Sequence, residues 1–115
     1  MDIIDKRRAA KIDADLAAEA FAALGSAPRL AVLRSLVRAG GDGLTVGALQ
    51  DRTGIAPSTL SHHLRALVAA GLIVQTRSGR SLICTARFDR VQGLADFLII
   101  ECCADIGGRH DASGD

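Results

Sequence analysis

Residues 44–88, LTVGALQDRTGIAPSTLSHHLRALVAAGLIVQTRSGRSLICTARF, fix the order of elements on which everything else depends. Leu44–Thr53 has helical character, and Gly54-Ile55-Ala56 makes a short turn. Pro57–Ala70 forms a second helix around the polar string Ser58-Thr59-Leu60-Ser61-His62-His63. Leu72–Arg77 and Arg80–Arg87 then flank Ser78-Gly79 as a hairpin. Helix, tight turn, helix and ribbon in that order describe a winged helix-turn-helix, with the helices over about 45–70 and the wing over about 72–87. In that arrangement one helix enters the major groove and the ribbon grips the flanking backbone. The expected fold is mainly α with a two-stranded β-wing, and the expected partner is double-stranded DNA.

The second helix divides into two faces. At 3.6 residues per turn, Leu60, Leu64, Leu67 and Val68 fall within about 100° of one another and predict a buried stripe. The opposite side carries Ser58, Thr59, His62, Arg65 and Ala66, with Ser61 at its edge. Short polar side chains let a helix approach base edges closely, and His62 and Arg65 can donate to bases or phosphates. His63 lies nearer the buried edge and reads as a packed, hydrogen-bonded histidine. In the hairpin, Arg77 and Arg80 bracket the tip and suit a phosphate backbone, although arginines on an edge strand also discourage aggregation.

Net charge is only +1, but its distribution is uneven. Between Arg52 and Phe88 stand five arginines (Arg52, Arg65, Arg77, Arg80 and Arg87) and no Asp or Glu, while eleven of the 13 acids lie before residue 50 or after residue 90. Local positive charge is what a phosphate backbone responds to.

Outside this segment, Ala9–Leu24 predicts a helix with an apolar stripe of Ile12, Leu16, Ala20, Ala23 and Leu24, ended by Gly25. Ser26 is an expected N-cap with Pro28 in the first turn. Leu30, Leu33, Leu36 and Val37 mark that helix's buried face, and Gly40-Gly41 stop it. Thr45 can cap the third helix, which turns Val46, Leu49 and Ile55 inward. Gly71 closes the reading helix. The last helix is expected from Asp89 to about residue 104, with Gly107-Gly108 as its stop and Arg109–Asp115 as a tail. Its residues Val91, Leu94, Ala95, Phe97, Leu98, Ile99 and Ile100 are apolar around almost the whole circumference, and such a helix must be covered. A second subunit packing the helices of about 9–24 and 89–104 is the natural cover. Two-fold pairing would set two reading helices about one DNA turn apart, matching an inverted-repeat operator.

With 115 residues and three aromatics, the chain is one small domain with a shallow core. No apolar run approaches the roughly 20 residues of a membrane span, and the N-terminus lacks a signal-peptide pattern. A cytoplasmic location is expected. No nucleophile–base pair, phosphate loop or catalytic metal motif points to an enzyme. The three cysteines, Cys84, Cys102 and Cys103, are too few for a disulfide scaffold and read as thiols, metal ligands or redox sensors.

Leu24-Gly25-Ser26-Ala27-Pro28-Arg29-Leu30, Ser61-His62-His63-Leu64-Arg65-Ala66-Leu67, and Gly71-Leu72-Ile73 through Arg77-Ser78-Gly79-Arg80 resemble bacterial ArsR/SmtB-type repressors over approximately residues 16–104. The resemblance implies a dimeric repressor that holds an operator until an inducer binds. It also implies groove reading by Ser58, Ser61 and His62, with Arg77 and Arg80 in the wing. No cofactor is then required for DNA binding. The cysteine pair that the best-known arsenic sensors carry on the first motif helix is absent from Thr45-Val46-Gly47-Ala48-Leu49. The histidine of the zinc sensors is absent from the last helix, which offers Asp89, Asp96 and Glu101. Glu101-Cys102-Cys103 instead resembles a subset of arsenic-responsive members with adjacent cysteines near the end of the dimerisation helix, some with a third cysteine and some responding to methylated arsenicals.

Trivalent arsenic is thiophilic, and thiolates select soft ions. Adjacent helical residues point about 100° apart, so Cys102 and Cys103 can share one atom only if the helix unwinds there. That distortion would be the switch. A dithiol suits methylarsenite, with two exchangeable positions, whereas arsenite prefers a third sulfur. Cys84 is the candidate third ligand. About 13 Å of strand and roughly 20 Å of helix separate it from Cys102, so it joins by a fold-back, from the partner chain, or stays a buried structural thiol. The rivals are a thiol redox or persulfide switch, zinc at Cys102, Cys103, Asp105 or His110, and a winged-helix module that does not bind DNA.

Overall fold

The computed structural model describes residues 12–106. Helices α1 (Ala14–Ala23) and α2 (Ala27–Ala39) lead into strand β1 (Leu44–Thr45), helices α3 (Val46–Thr53) and α4 (Pro57–Ala69), strands β2 (Ile73–Ser78) and β3 (Ser81–Ala86), and helix α5 (Phe88–Ile99). Short 3-10 turns occupy Gly40–Asp42 and Ala104–Ile106. The helix starts follow their capping side chains. Asp13, Ser26 and Thr45 accept hydrogen bonds from the amides of Leu16 (2.8 Å), Arg29 (3.4 Å) and Ala48 (3.0 Å), and each satisfies an amide the helix itself leaves open.

α3 and α4 form the helix-turn-helix, joined through Gly54 in the left-handed region. α4 ends in a Schellman motif. Gly71, at φ +76°, donates to the Val68 carbonyl (2.9 Å), and Leu72 donates to that of Leu67 (3.0 Å). The motif satisfies the last carbonyls and turns the chain straight into the wing. At the wing tip Ser78 pairs with Ser81, and Gly79, at φ +62°, takes the first of two turn positions. Glycine there matches the twist of the two strands.

Leu60, Leu64 and Leu67 of α4 meet Val32, Leu33 and Leu36 of α2, Leu49 of α3, Leu72, Ile73, Cys84 and Ala86 of the sheet, and Leu94 of α5. Ala17, Ala20 and Ala23 bring α1 onto the same core. Each fully buried leucine stabilises the fold by roughly 1.5–3 kcal/mol relative to exposure. This core sets the height and tilt of α4, so its outer face is held on a rigid base.

Several sequence expectations change. The wing gains a third strand: Leu44 and Thr45 pair with Cys84 and Ile83, giving the order β1-β3-β2. Leu44 therefore lies before the helix, whose first turn Thr45 caps. Arg80 belongs to the turn and β3 begins at Ser81. α1 begins at Ala14 rather than Ala9, since Asp13 caps it; Ala9–Lys11 lie outside the described residues. α5 starts at Phe88, one residue before the expected cap Asp89, which instead pairs with Arg87 at 3.5 Å. It ends at Ile99, not near residue 104, so Cys102 and Cys103 are beyond the helix. Leu30, Val37 and Val68 are exposed, while the unremarked Val32 is buried. The Gly107-Gly108 stop, the Arg109–Asp115 tail and His110 fall outside the described residues. Among the described residues no single helix is long and apolar enough to cross a membrane.

Candidate nucleic-acid interface and thiol pair

α4 presents Ser58, Thr59, Ser61, His62 and Arg65 to solvent on one side, opposite its three buried leucines. Arg77 and Arg80 are likewise exposed at the wing. All seven residues singled out for DNA are thus free to meet a ligand, five on one helix and two at the hairpin tip. An open trough of about 230 Å³ runs between the two elements, lined by Ser61, Leu64, Arg65 and Val68 of α4 and by Gln75 and Leu82 of the wing. Polar donors and acceptors on a protruding helix, flanked by guanidinium groups, can read base edges while neutralising phosphates.

His63 is half-buried, as its place near the buried stripe predicts, and accepts a hydrogen bond at Nδ1 from Arg29 Nε (3.1 Å). The same guanidinium lies 3.5 Å from His62 Nε2. The two imidazoles sit 5.8 Å apart, tilted by 50°. Burial lowers the His63 pKa, and the nearby Arg29 and His62 lower it further. Arg29 is a residue that sequence reasoning missed: 34 positions separate it from His63, and no local pattern joins them.

Cys84 is fully buried in β3, where Gln75 Nε2 donates to its sulfur at 3.5 Å. Burial pushes its thiol pKa up, with the Gln75 hydrogen bond acting the other way. Such a thiol is a core residue with little reactivity. The structure does not bring it to the other two cysteines: among the described residues no group of three His, Cys, Asp or Glu side chains is placed to hold a metal. Among the described residues a fold-back of α5 that would deliver Cys84 as a third ligand is therefore not seen, and His110 of the zinc alternative lies outside them.

Cys102 and Cys103 are exposed, with their sulfurs 3.6 Å apart. The backbone makes this proximity possible. After Ile99 the chain turns, with Cys102 donating to the Ile99 carbonyl at 2.8 Å and Ala104 to that of Glu101 at 2.9 Å. Cys103 sits at φ +65°, a left-handed conformation that non-glycine residues adopt at a cost. The hydrogen bond with Cys102 pushes the Cys103 thiol pKa up, as do the charge of Cys102 and, least, desolvation.

A helix-turn-helix domain family model matches residues 24–76. Among similar sequences, nodulation protein NolR of Rhizobium meliloti is 34% identical over 79 residues, covering 69% of this chain and 62% of that protein. The uncharacterized HTH-type transcriptional regulator YceK of Bacillus subtilis is 31% identical over 80 residues, covering 70% of this chain and 79% of its own. Among solved structures, an ArsR-like transcriptional regulator from Rhodococcus sp. RHA1 superposes with a TM-score of 0.67 at 25% identity, covering 80% of this chain and 83% of that one. A homodimeric winged helix-turn-helix DNA-binding domain from Mycobacterium bovis superposes at 0.60 with 25% identity, covering 84% and 89%. YceK and the Rhodococcus protein are transcriptional regulators.

Proposed function

This chain belongs to the ArsR-type winged helix-turn-helix transcriptional regulators, and we propose that it is a homodimeric repressor released from an inverted-repeat operator by trivalent arsenic at Cys102 and Cys103. The observation that carries the sensing half is the 3.6 Å separation of two exposed sulfurs on an already turned backbone. At a metal–sulfur distance of ~2.3 Å, usual for thiolates, sulfurs 3.6 Å apart subtend about 100° at a shared atom. A pyramidal trivalent centre accepts that angle. With methylarsenite, two As–S bonds replace two As–O bonds, and the thiol protons leave with the hydroxyls as two waters.

Exposed α4, the arginines at the wing and the acid-free stretch between them support the DNA half of the reading. The homodimeric Mycobacterium bovis domain supports pairing. Adjacent Cα atoms lie about 3.8 Å apart, closer than the roughly 4.4–6.8 Å an unstrained disulfide spans, which disfavours the redox rival. Titrating reduced protein on a fluorescent operator with arsenite and methylarsenite tests the proposal. Release is expected with methylarsenite at least as readily as with arsenite, because two sulfurs are presented. Cys102→Ala and Cys103→Ala should bind DNA normally and stay bound. Release by peroxide or polysulfide, with arsenicals inert, would replace this reading with the redox one.

A further inference from the structure

Arg29 ties three helices together. Besides its two histidine contacts on α4, its Nη1 reaches the Ala23 carbonyl at the end of α1 at 3.5 Å. A guanidinium can only donate hydrogen bonds. Nδ1 of His63, at 3.1 Å, must therefore be bare, and Nε2 of His62, at 3.5 Å, accepts from the guanidinium in the tautomer that leaves it bare. The proton of His63 then rests on Nε2, and that of His62 on Nδ1, because the tautomer follows from the bond the other nitrogen makes. His62 is exposed on the reading face, so the polar group it has left to offer is an Nδ1–H donor. We propose that Arg29 is a positioning residue for DNA reading, which fixes His62 as a donor toward base-edge acceptors such as guanine O6 and N7 and keys that setting to the end of α1. The proposal rests on the reading of α4 as the groove helix.

Acidification should undo the arrangement. Among the described residues, the charged or titratable groups acting on His63 are Arg29 of α2 and His62 of α4. Protonating His63 turns an acceptor into a donor aimed at a cation. Its pKa lies below the ordinary 6.5, so the neutral latch is complete above that pH and is lost as pH falls through the depressed value. A histidine that merely attracts phosphate behaves oppositely, gaining charge and affinity in acid.

The test pairs imidazole NMR on the DNA-free dimer with binding to a duplex selected from a random pool by the wild-type protein. Wild type should show His62 as the Nδ1–H tautomer and His63 as the Nε2–H tautomer, with His63 titrating low. Arg29→Lys keeps the charge but loses the fork; both histidines should then become tautomer mixtures, and affinity should fall about tenfold. His62→Ala in the Arg29→Lys background should cost little more, and the loss of affinity on acidification should disappear or reverse. Unchanged tautomers in Arg29→Lys would overturn the latch. Altered tautomers with unchanged affinity and pH profile would overturn its role in reading. Failure of the wild type to select any duplex would instead sink the assignment of α4, and this proposal with it.

Discussion

Gly43 shows how one residue can hold the base of the wing. Its φ of +69° and ψ of −168° lie in a region that is essentially glycine's own. A Cβ there would come within 2.3 Å of the Cys84 carbonyl oxygen and 2.8 Å of Thr85 Oγ1. The β1–β3 pairing depends on that close approach. Gly43→Ala should therefore destabilise the protein by about 3 kcal/mol or more, combining backbone strain with a backbone clash. Gly54→Ala is the control: φ is +72° but nothing lies within 4 Å of the new Cβ, so only the left-handed cost of about 1 kcal/mol applies. Urea denaturation of both variants reads the difference, and equal losses would show that the approach to Cys84 is not tight. Neither Gly43 nor Arg29 announces itself in the sequence. Ser26 and Thr45 do, since a capping side chain acts within three residues, whereas these two act through partners brought close by folding.

At the level of elements, α4 and the hairpin were legible because each carries a period. The leucine stripe recurs at helical spacing, and Gly79 marks a turn between two β-rich runs. β1 has only two residues, too few to show any alternation, and is specified by β3 rather than by itself. α5 misled at its far end because apolar residues run on through Ile100 after the helix has stopped at Ile99; composition alone does not reveal where the hydrogen-bonded turns give out. The site residues on α4 and the wing were legible as exposed polar positions opposite a buried stripe. Their chemistry toward DNA is a matter of charge, and charge has a direct readout. Each phosphate contact contributes about 0.9 to the slope of log affinity against log salt. A dimer lacking Arg77 and Arg80 loses two contacts on each wing, so the Arg77→Ala/Arg80→Ala variant should flatten the slope by about 3–4. If those arginines only protect a strand edge, the slope will not change, and association of the free protein will increase instead.

The most exposed large apolar residues among the described ones fall at and after the end of α5. Leu98, Ile99 and Ile100 are 67%, 60% and 74% exposed, and Phe97 and Ile106 are exposed beside them. A contiguous exposed apolar surface is a site of association, and a second copy is the partner that a two-fold regulator provides. Cys102 and Cys103 stand two and three residues after Ile100, so an ion that locks their loop alters the edge of the same contact. Leu98→Glu separates assembly from folding, because Leu98 takes no part in the monomer core. Circular dichroism should be unchanged, sedimentation should show monomers, and operator affinity should fall roughly 10²-fold or more once the two reading helices are no longer linked. A Leu98→Glu protein that remains dimeric and binds the operator as before would place the dimer contact elsewhere, and would remove the physical link between the thiol pair and the grip on DNA.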